Sequence, residues 1–541
     1  MHRFTILFAL AVAPAAVAQA TWLVPGHHPT IQAAVTAAAN NDIILVAPGT
    51  YVENVDMLGK DLVVRSLAGP ALTTIDGGGL DATVLYPSGS TRAARLEGFT
   101  ITNGNNMGSS TAGVGGGIKL VASSPTIIGC VVRGNRTIAY GGGIGGTDYG
   151  GGGNPIAPRI ENCVIEDNAA NGVAYASGGG IALTGFSAGA VASTPEIVGC
   201  IVRRNTASTR GGGMYFGYNV SAVVDGNQIT QNTTGGTSGA LDGGAGIFCA
   251  LNAAVTIVNN RIWANVSTSN GGGVKYFNVT GVQIINTTII DNAGGGIAGF
   301  ATGTAFGLNV SADVVNCIVR NPGGLEFALT GTDQNGQPPS VTVRHSDVLG
   351  GHPGVGNFDL PPMLLNAGSG NHRLTPGSPC FNTGDAAYPG VPTTDFDGDS
   401  RPAAGAVDVG ADEFDPNGVL LWSNVATDST NSPTNIAYSI AGGSSRAGSA
   451  FVVLFSLSGT VPGVDLLGMH VPLNPDPFTT AISFVNGGLN AGGDGSATFP
   501  LGGATLHPAL VGTMLSSAAV IVGPGGLITD FTNDENVVFV P

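Results

Sequence analysis

The sequence predicts an all-β chain wound as a solenoid of short parallel strands around one continuous core, on three observations. A residue frame recurs along most of the chain, with its central position at Phe99, Cys130, Cys163, Cys200, Asn227, Asn260, Thr287, Cys317 and Ser346. That period of roughly 30 residues marks stacked repeats. The residue just before is Gly98, Gly129, Asn162, Gly199, Gly226, Asn259, Asn286, Asn316 or His345, mostly types that tolerate the left-handed backbone and so turn the chain without a loop. Composition agrees: 88 glycines and 10% charged residues leave most hydrogen bonding to the backbone, unlike a helical or doubly wound α/β protein.

Each repeat then supplies its strands. One apolar strand precedes the corner, at Ile127, Ile160, Ile197, Val224, Ile257 and Ile284, and a second follows, at Val132, Ile165, Val202, Ile229, Ile262 and Ile289. A third opens after a glycine cluster, at Ile118, Ile144, Ile181, Met214, Ile247, Val274 and Ile297. Three strands per turn at a steady period give parallel sheets and a core shared from coil to coil. In this the segment 21–414 resembles the right-handed parallel β-helix of the pectin-lyase superfamily, which implies a three-sheet solenoid.

Ahead of the repeats, a short basic start and the apolar run 4–17, ending in small residues before Ala20, have the form of a secretory signal peptide. Residues 1–20 are therefore assigned to export, and an extracellular or cell-surface location is expected. No later run is apolar and long enough to span a bilayer. Thr30 caps a short helix whose Ile31, Ala34 and Val35 share one apolar side, placed to cover the otherwise open first coil. The run Gly49-Thr50-Tyr51-Val52-Glu53-Asn54 resembles the opening of pectin methylesterases. The motifs that carry that family's chemistry do not follow, so esterase activity is not expected.

From 360 the repeat decays into a proline-rich closing segment that ends in Asp395-Phe396-Asp397-Gly398-Asp399 and Val407 to Glu413. It resembles the terminal motif of exported β-helix proteins, where it finishes the coil. Residues 415–541 change to longer alternating strands, such as 449–457 and 518–521, and read as a small β-sandwich domain.

Net charge of −16 argues against nucleic acid or an anionic membrane as partner. A monomer is expected. Cys130, Cys163 and Cys200 hold one inward position on successive coils, where parallel Cβ vectors suit a disulfide poorly, and they read as core residues. Asn135, Asn168, Asn205, Asn232, Asn265 and Asn292 stack at a fixed offset and read as a structural hydrogen-bonded column. Arg133, Glu166 and Arg203 share another offset and read as an exposed ion-pair ladder.

Two sets remain as candidate sites. Tyr215, Phe248 and Lys275 fall on consecutive coils at the second position after the glycine cluster. They form either an outward aromatic and cationic stripe for a sugar carboxylate or residues packed under a neighbouring loop. Asp395, Asp397 and Asp399 alternate as calcium ligands do, yet Ser400 stands where that loop needs Gly; the alternative is a turn fixed by aspartate and Arg401. No cofactor is required, with calcium the one candidate. The catalytic signatures of polygalacturonases and pectate lyases are missing, so a non-catalytic polysaccharide-binding or surface-structural protein is expected, with a polysaccharide lyase or glycoside hydrolase as the alternative.

Overall fold

The computed structural model describes residues 19–415 apart from 109–112, 150–153, 173–175, 187–192, 237–240, 304–308, 376 and 404, together with the backbone of separate strands beyond 420. The predicted signal peptide lies outside the described residues up to position 18. The chain is a parallel β-solenoid whose core is one contiguous apolar cluster from Val24 to Val348. Among the described residues no helix is long and apolar enough to cross a membrane.

Three long parallel sheets run the length of the coil, of twelve, eleven and ten strands. They hold the strands before the corner, after the corner and after the glycine cluster. A fourth, six-stranded sheet was not expected: two-residue strands such as Arg136–Thr137, Ala169–Ala170 and Thr206–Ala207 follow the conserved-offset asparagines.

Every predicted corner has positive φ, from Gly98 at 74° and Asn162 at 52° to His345 at 45°. A second set of corners precedes the asparagine column, at Gly134, Asp167, Arg204, Gln231, Ala264 and Asp291, with φ of 53–65°. Both corners are built alike. The next side chain donates back to the carbonyl two residues earlier, as Asn227 does to Asp225 (3.0 Å) and Asn135 to Arg133 (3.0 Å). Its heteroatom also accepts the backbone N–H of the equivalent residue one coil earlier, as Asn227 does from Cys200 (2.8 Å) and Asn205 from Asn168 (3.1 Å). Left-handed geometry costs an L-residue roughly 1–2 kcal/mol, and these paired bonds hold it in place.

The cysteines fit this scheme. All six are free and buried, and the Sγ atoms of Cys163 and Cys200 accept the N–H groups of Cys130 and Cys163 at 3.4 Å each. Cys130, Cys163, Cys200 and Cys317 stand where other coils use Asn, Thr or Ser, so the core reading of the first three holds with a polar duty added. The asparagine amides bond directly to one another from Asn135 to Asn321, at 2.9–3.0 Å. After Asn321 the carboxylate of Glu326 takes both the backbone N–H and the amide.

At the start, Thr21–Val24 forms an edge strand on Ile43–Val46, and the helix Ile31–Ala37 buries Ile31, Ala34 and Val35 as expected. Glu53 of the Gly-x-Tyr-x-Glu-Asn run accepts the N–H groups of Ile31 (2.9 Å) and Gln32 (2.8 Å). Lys60 Nζ donates to the carbonyls of Val35, Thr36 and Ala38 at the other end. The Gly-x-Tyr-x-Glu-Asn run and Lys60 thus clamp the helix at its two ends.

The closing segment differs from expectation in its position. It lies along the flank of the last coils as a strap: Asn259 donates to Thr394 O (2.9 Å), Asn286 to Asp408 O (3.0 Å) and Asn316 to Asp385 O (3.1 Å). The side-chain amides of the corner asparagines are bonded on that flank, which is why the strap runs there. Beyond 415, strands include Ala450–Ser456 and Met514–Val522, paired antiparallel, and the contacts there are antiparallel except Thr427–Ser429 on Glu535–Val540.

Candidate functional site

The strands that follow the glycine clusters carry the predicted stripe. Ala182, Tyr215, Phe248, Lys275 and Ala298 are neighbours in register across five coils, and the Tyr215 and Phe248 rings stack with centroids 5.8 Å apart. The expected juxtaposition holds, and of the two readings the residues follow the packed one and not the outward stripe. Tyr215, Phe248 and Lys275 are 1%, 0% and 2% exposed.

The reason lies in the glycine clusters, which fold the chain back over the outer face of the strand they lead into. At Gly178 (φ 67°) an added Cβ would sit 2.6 Å from the Cβ of Ala182, and at Gly211 (φ 60°) 3.1 Å from that of Tyr215. Residues just ahead of the clusters, Val114, Tyr140, Ser177, Arg210 and Gly243, form their own column of parallel bridges. Tyr215 and Phe248 therefore belong to a second apolar cluster with Val114, Tyr140 and Phe277, outside the main core. Lys275 Nζ donates to the carbonyl oxygen of Asp242 and to Ser269 Oγ (3.3 Å). Burial lowers its pKa to about 8, against the pull of the Asp242 charge.

The rings that meet solvent are elsewhere, just past the ends of three successive strands, Ile144–Thr147, Ile181–Thr184 and Met214–Gly217. Tyr149 is 60% and Phe186 36% exposed, and Tyr218 is half-buried. Phe186 and Tyr218 lie 4.4 Å apart by centroid, and Phe186 also meets Tyr140 at 6.2 Å, which meets Tyr215 at 5.8 Å. A run of aromatic rings thus leads from the buried column to the rim. Asp148 joins two of these coils by accepting Phe186 N–H at 2.6 Å. Counting from the strand starts missed this rim, because Tyr149 and Phe186 fall five residues along and Tyr218 four. The signal available was an aromatic residue soon after the strand, Tyr149 and Phe186 at the head of long segments and Tyr218 in a three-residue turn.

Ionisable groups cluster away from this face. Arg133, Glu166 and Arg203 are in register as expected, but Glu166 and Arg203 are buried rather than exposed. Arg203 and Arg204 both reach Glu166, at 2.7 and 2.9 Å.

In the strap, the carboxylates of Asp395, Asp397 and Asp412 lie within 4.8 Å of one another. Asp399 does not join them: its backbone N–H bonds Asp395 Oδ1 at 2.8 Å. Sequence order hid Asp412, which comes from the next turn. Asp395 also accepts from the N–H groups of Asp397 and Glu413, both at 2.9 Å. Asp397 pairs with Arg373 at 2.8 Å and with Arg261 of the coil at 3.6 Å, and the Arg261 guanidinium lies 3.5 Å over the Phe396 ring. Burial and the neighbouring carboxylates raise the pKa of Asp395, and that of Asp412 to about 7. Calcium takes six to eight oxygen ligands, whereas these oxygens face two guanidinium groups and four backbone N–H groups, the fourth from Leu374 to Asp412 at 2.7 Å. The donor set fits an arginine-neutralised turn better than a cation cage.

Residues 177–348 match the family model described as right handed beta helix region. No curated protein and no solved structure matches the chain.

Proposed function

We propose that the protein is an exported β-helix scaffold, extracellular or at the cell surface, that binds polysaccharide without cleaving it. The observation that carries this reading is the solvent-facing aromatic rim of Tyr149, Phe186 and Tyr218 on successive coils. Flat aromatic faces with polar edges suit the apolar faces of sugar rings. The form of residues 1–20 supports export. A lyase would need a base near neutral pKa, and Lys275 has that property, but its Nζ is bonded to Asp242 and Ser269 beneath the folded-back chain. The clustered carboxylates and arginines are likewise engaged with one another. The test is a polysaccharide panel read for retention, for new reducing ends and for the ultraviolet absorbance of unsaturated lyase products. Retention without products is expected; products formed in proportion to enzyme would replace this reading with the catalytic one.

A further inference from the structure

We propose that the signal peptide is cut between Ala18 and Gln19, so that Gln19 and Ala20 stay with the folded protein and Asp42 receives the start of its chain. This rests on the export reading and fixes its processing site. Two tripeptides satisfy the small-residue rule for signal-peptide cleavage, Ala16-Val17-Ala18 and Ala18-Gln19-Ala20. Their composition does not choose between them; the bonds made by Gln19 and Ala20 do.

Ala20 is part of the first sheet in its bonding. Its N–H donates to Asp42 Oδ1 at 2.8 Å and its carbonyl accepts the N–H of Ile43 at 2.9 Å, which extends by one residue the pairing of Thr21–Val24 with Ile43–Val46. Gln19 adds a bond from Nε2 to Asn41 O at 2.6 Å. Asp42 is buried and ties this start to two other segments: its Oδ2 accepts the Trp22 indole N–H at 3.0 Å and the N–H of Ala39, just past the capping helix, at 2.9 Å. A cut after Ala20 removes the donor to Asp42 Oδ1 and the acceptor of Ile43 N–H together. The register partner of Ile43, Thr21, would then begin in an α-ammonium, itself a donor, and leave the Ile43 N–H unanswered. A cut after Ala18 keeps every one of these bonds. It also sets the new ammonium one residue from the N–H that Asp42 holds, where opposite charges attract.

The test is expression from Met1 in a secreting host, with the first residue of the exported product read by intact mass and peptide mapping. A start at Gln19 is expected, either as free Gln19 or in its cyclised form, in which the α-amino nitrogen bonds to Cδ and ammonia leaves. Ala20→Leu spoils the second tripeptide and not the first, so it should leave the start at Gln19. In hydrogen exchange, a chain begun at Thr21 should exchange the Ile43 amide roughly 10- to 100-fold faster than a chain begun at Gln19, the worth of an orphaned donor. A start at Thr21 or at any other residue, or loss of processing in Ala20→Leu, overturns the inference and leaves export intact. Equal exchange at Ile43 in the two chains overturns the bonds of Ala20 as its ground. An unprocessed chain kept inside the cell overturns the export reading itself.

Discussion

In the coils from Asn135 to Asn321, buried backbone groups at the corners meet neutral side chains, each amide answering the next. In the strap from Gly377 to Phe414, buried backbone groups meet carboxylates, and the carboxylates meet arginines: Asp408 accepts the N–H groups of Asn382 and Phe414 at 2.6 Å each, and Glu413 pairs with the buried Arg401 at 3.2 Å. Both regions satisfy polar groups that burial would otherwise penalise. They differ in what upsets them. A neutral amide column has matched donors and acceptors at every pH, whereas a buried ionic set depends on which carboxylates hold protons and on every partner being present.

The sharpest break in this comparison is Arg261→Met, which leaves Asp397 and its neighbours short of one cation. Removing one side of a buried pair costs about 3–5 kcal/mol, and hydrogen exchange should show the loss at strap amides such as Asp397 and Glu413, with the coil amides unchanged. Equal loss in the coils would erase the distinction. Next, Asn205→Leu should cost about 3 kcal/mol in denaturant unfolding, because it orphans the Asn168 N–H and the Ile165 carbonyl inside the core. Its exchange signature should be the converse, with coils opened and strap intact.

Acidity separates the regions by sign. Burial raises Asp408 and Asp412 to about 7, so the folded strap holds protons that the unfolded chain has released above about pH 4. Their contribution is full at low pH and is lost as pH rises toward 7. At the other end, hydrogen bonds from Trp22 and Ala20 lower Asp42, so its contribution is present at neutral pH and lost on acidification. Limited proteolysis should therefore loosen the strap as pH rises through about 7 and the first strand only below about pH 4. The smallest effect is expected of Cys200→Ser, which keeps an acceptor for the Cys163 N–H and should shift stability by about 1 kcal/mol or less. All six thiols should resist a thiol reagent until the protein is denatured.

How much of this was legible in the sequence differs by feature, for physical reasons. The first corner was readable because left-handed backbone there falls on Gly, Asn and one His. The second was not, because it falls on Arg204, Gln231 and Ala264 as well as on the more tolerant Gly134, Asp167 and Asp291; the following asparagine holds the geometry, and only the asparagine repeats. The stripe of Tyr215, Phe248 and Lys275 was placed correctly along the sheet, yet its burial depends on glycines folding the chain back. Period alone cannot show that, since a glycine cluster reads equally as a plain turn. The rim of Tyr149, Phe186 and Tyr218 was missed because it lies where loop lengths vary and the frame loses count. Asp412 was missed because its partners are near in space and distant along the chain.

The end of the asparagine column at Glu326 has a consequence for how such a chain changes in length. Each asparagine takes bonds from the coil before it and passes two, from its backbone N–H and its amide, to the coil after, so an inserted or deleted coil that carries Asn leaves its neighbours with the partners they had. Glu326, as a carboxylate, receives from Asn321 and passes nothing on. The interior is thus interchangeable, and Glu326 is the full stop: lengthening the protein means adding sentences before it, not moving it.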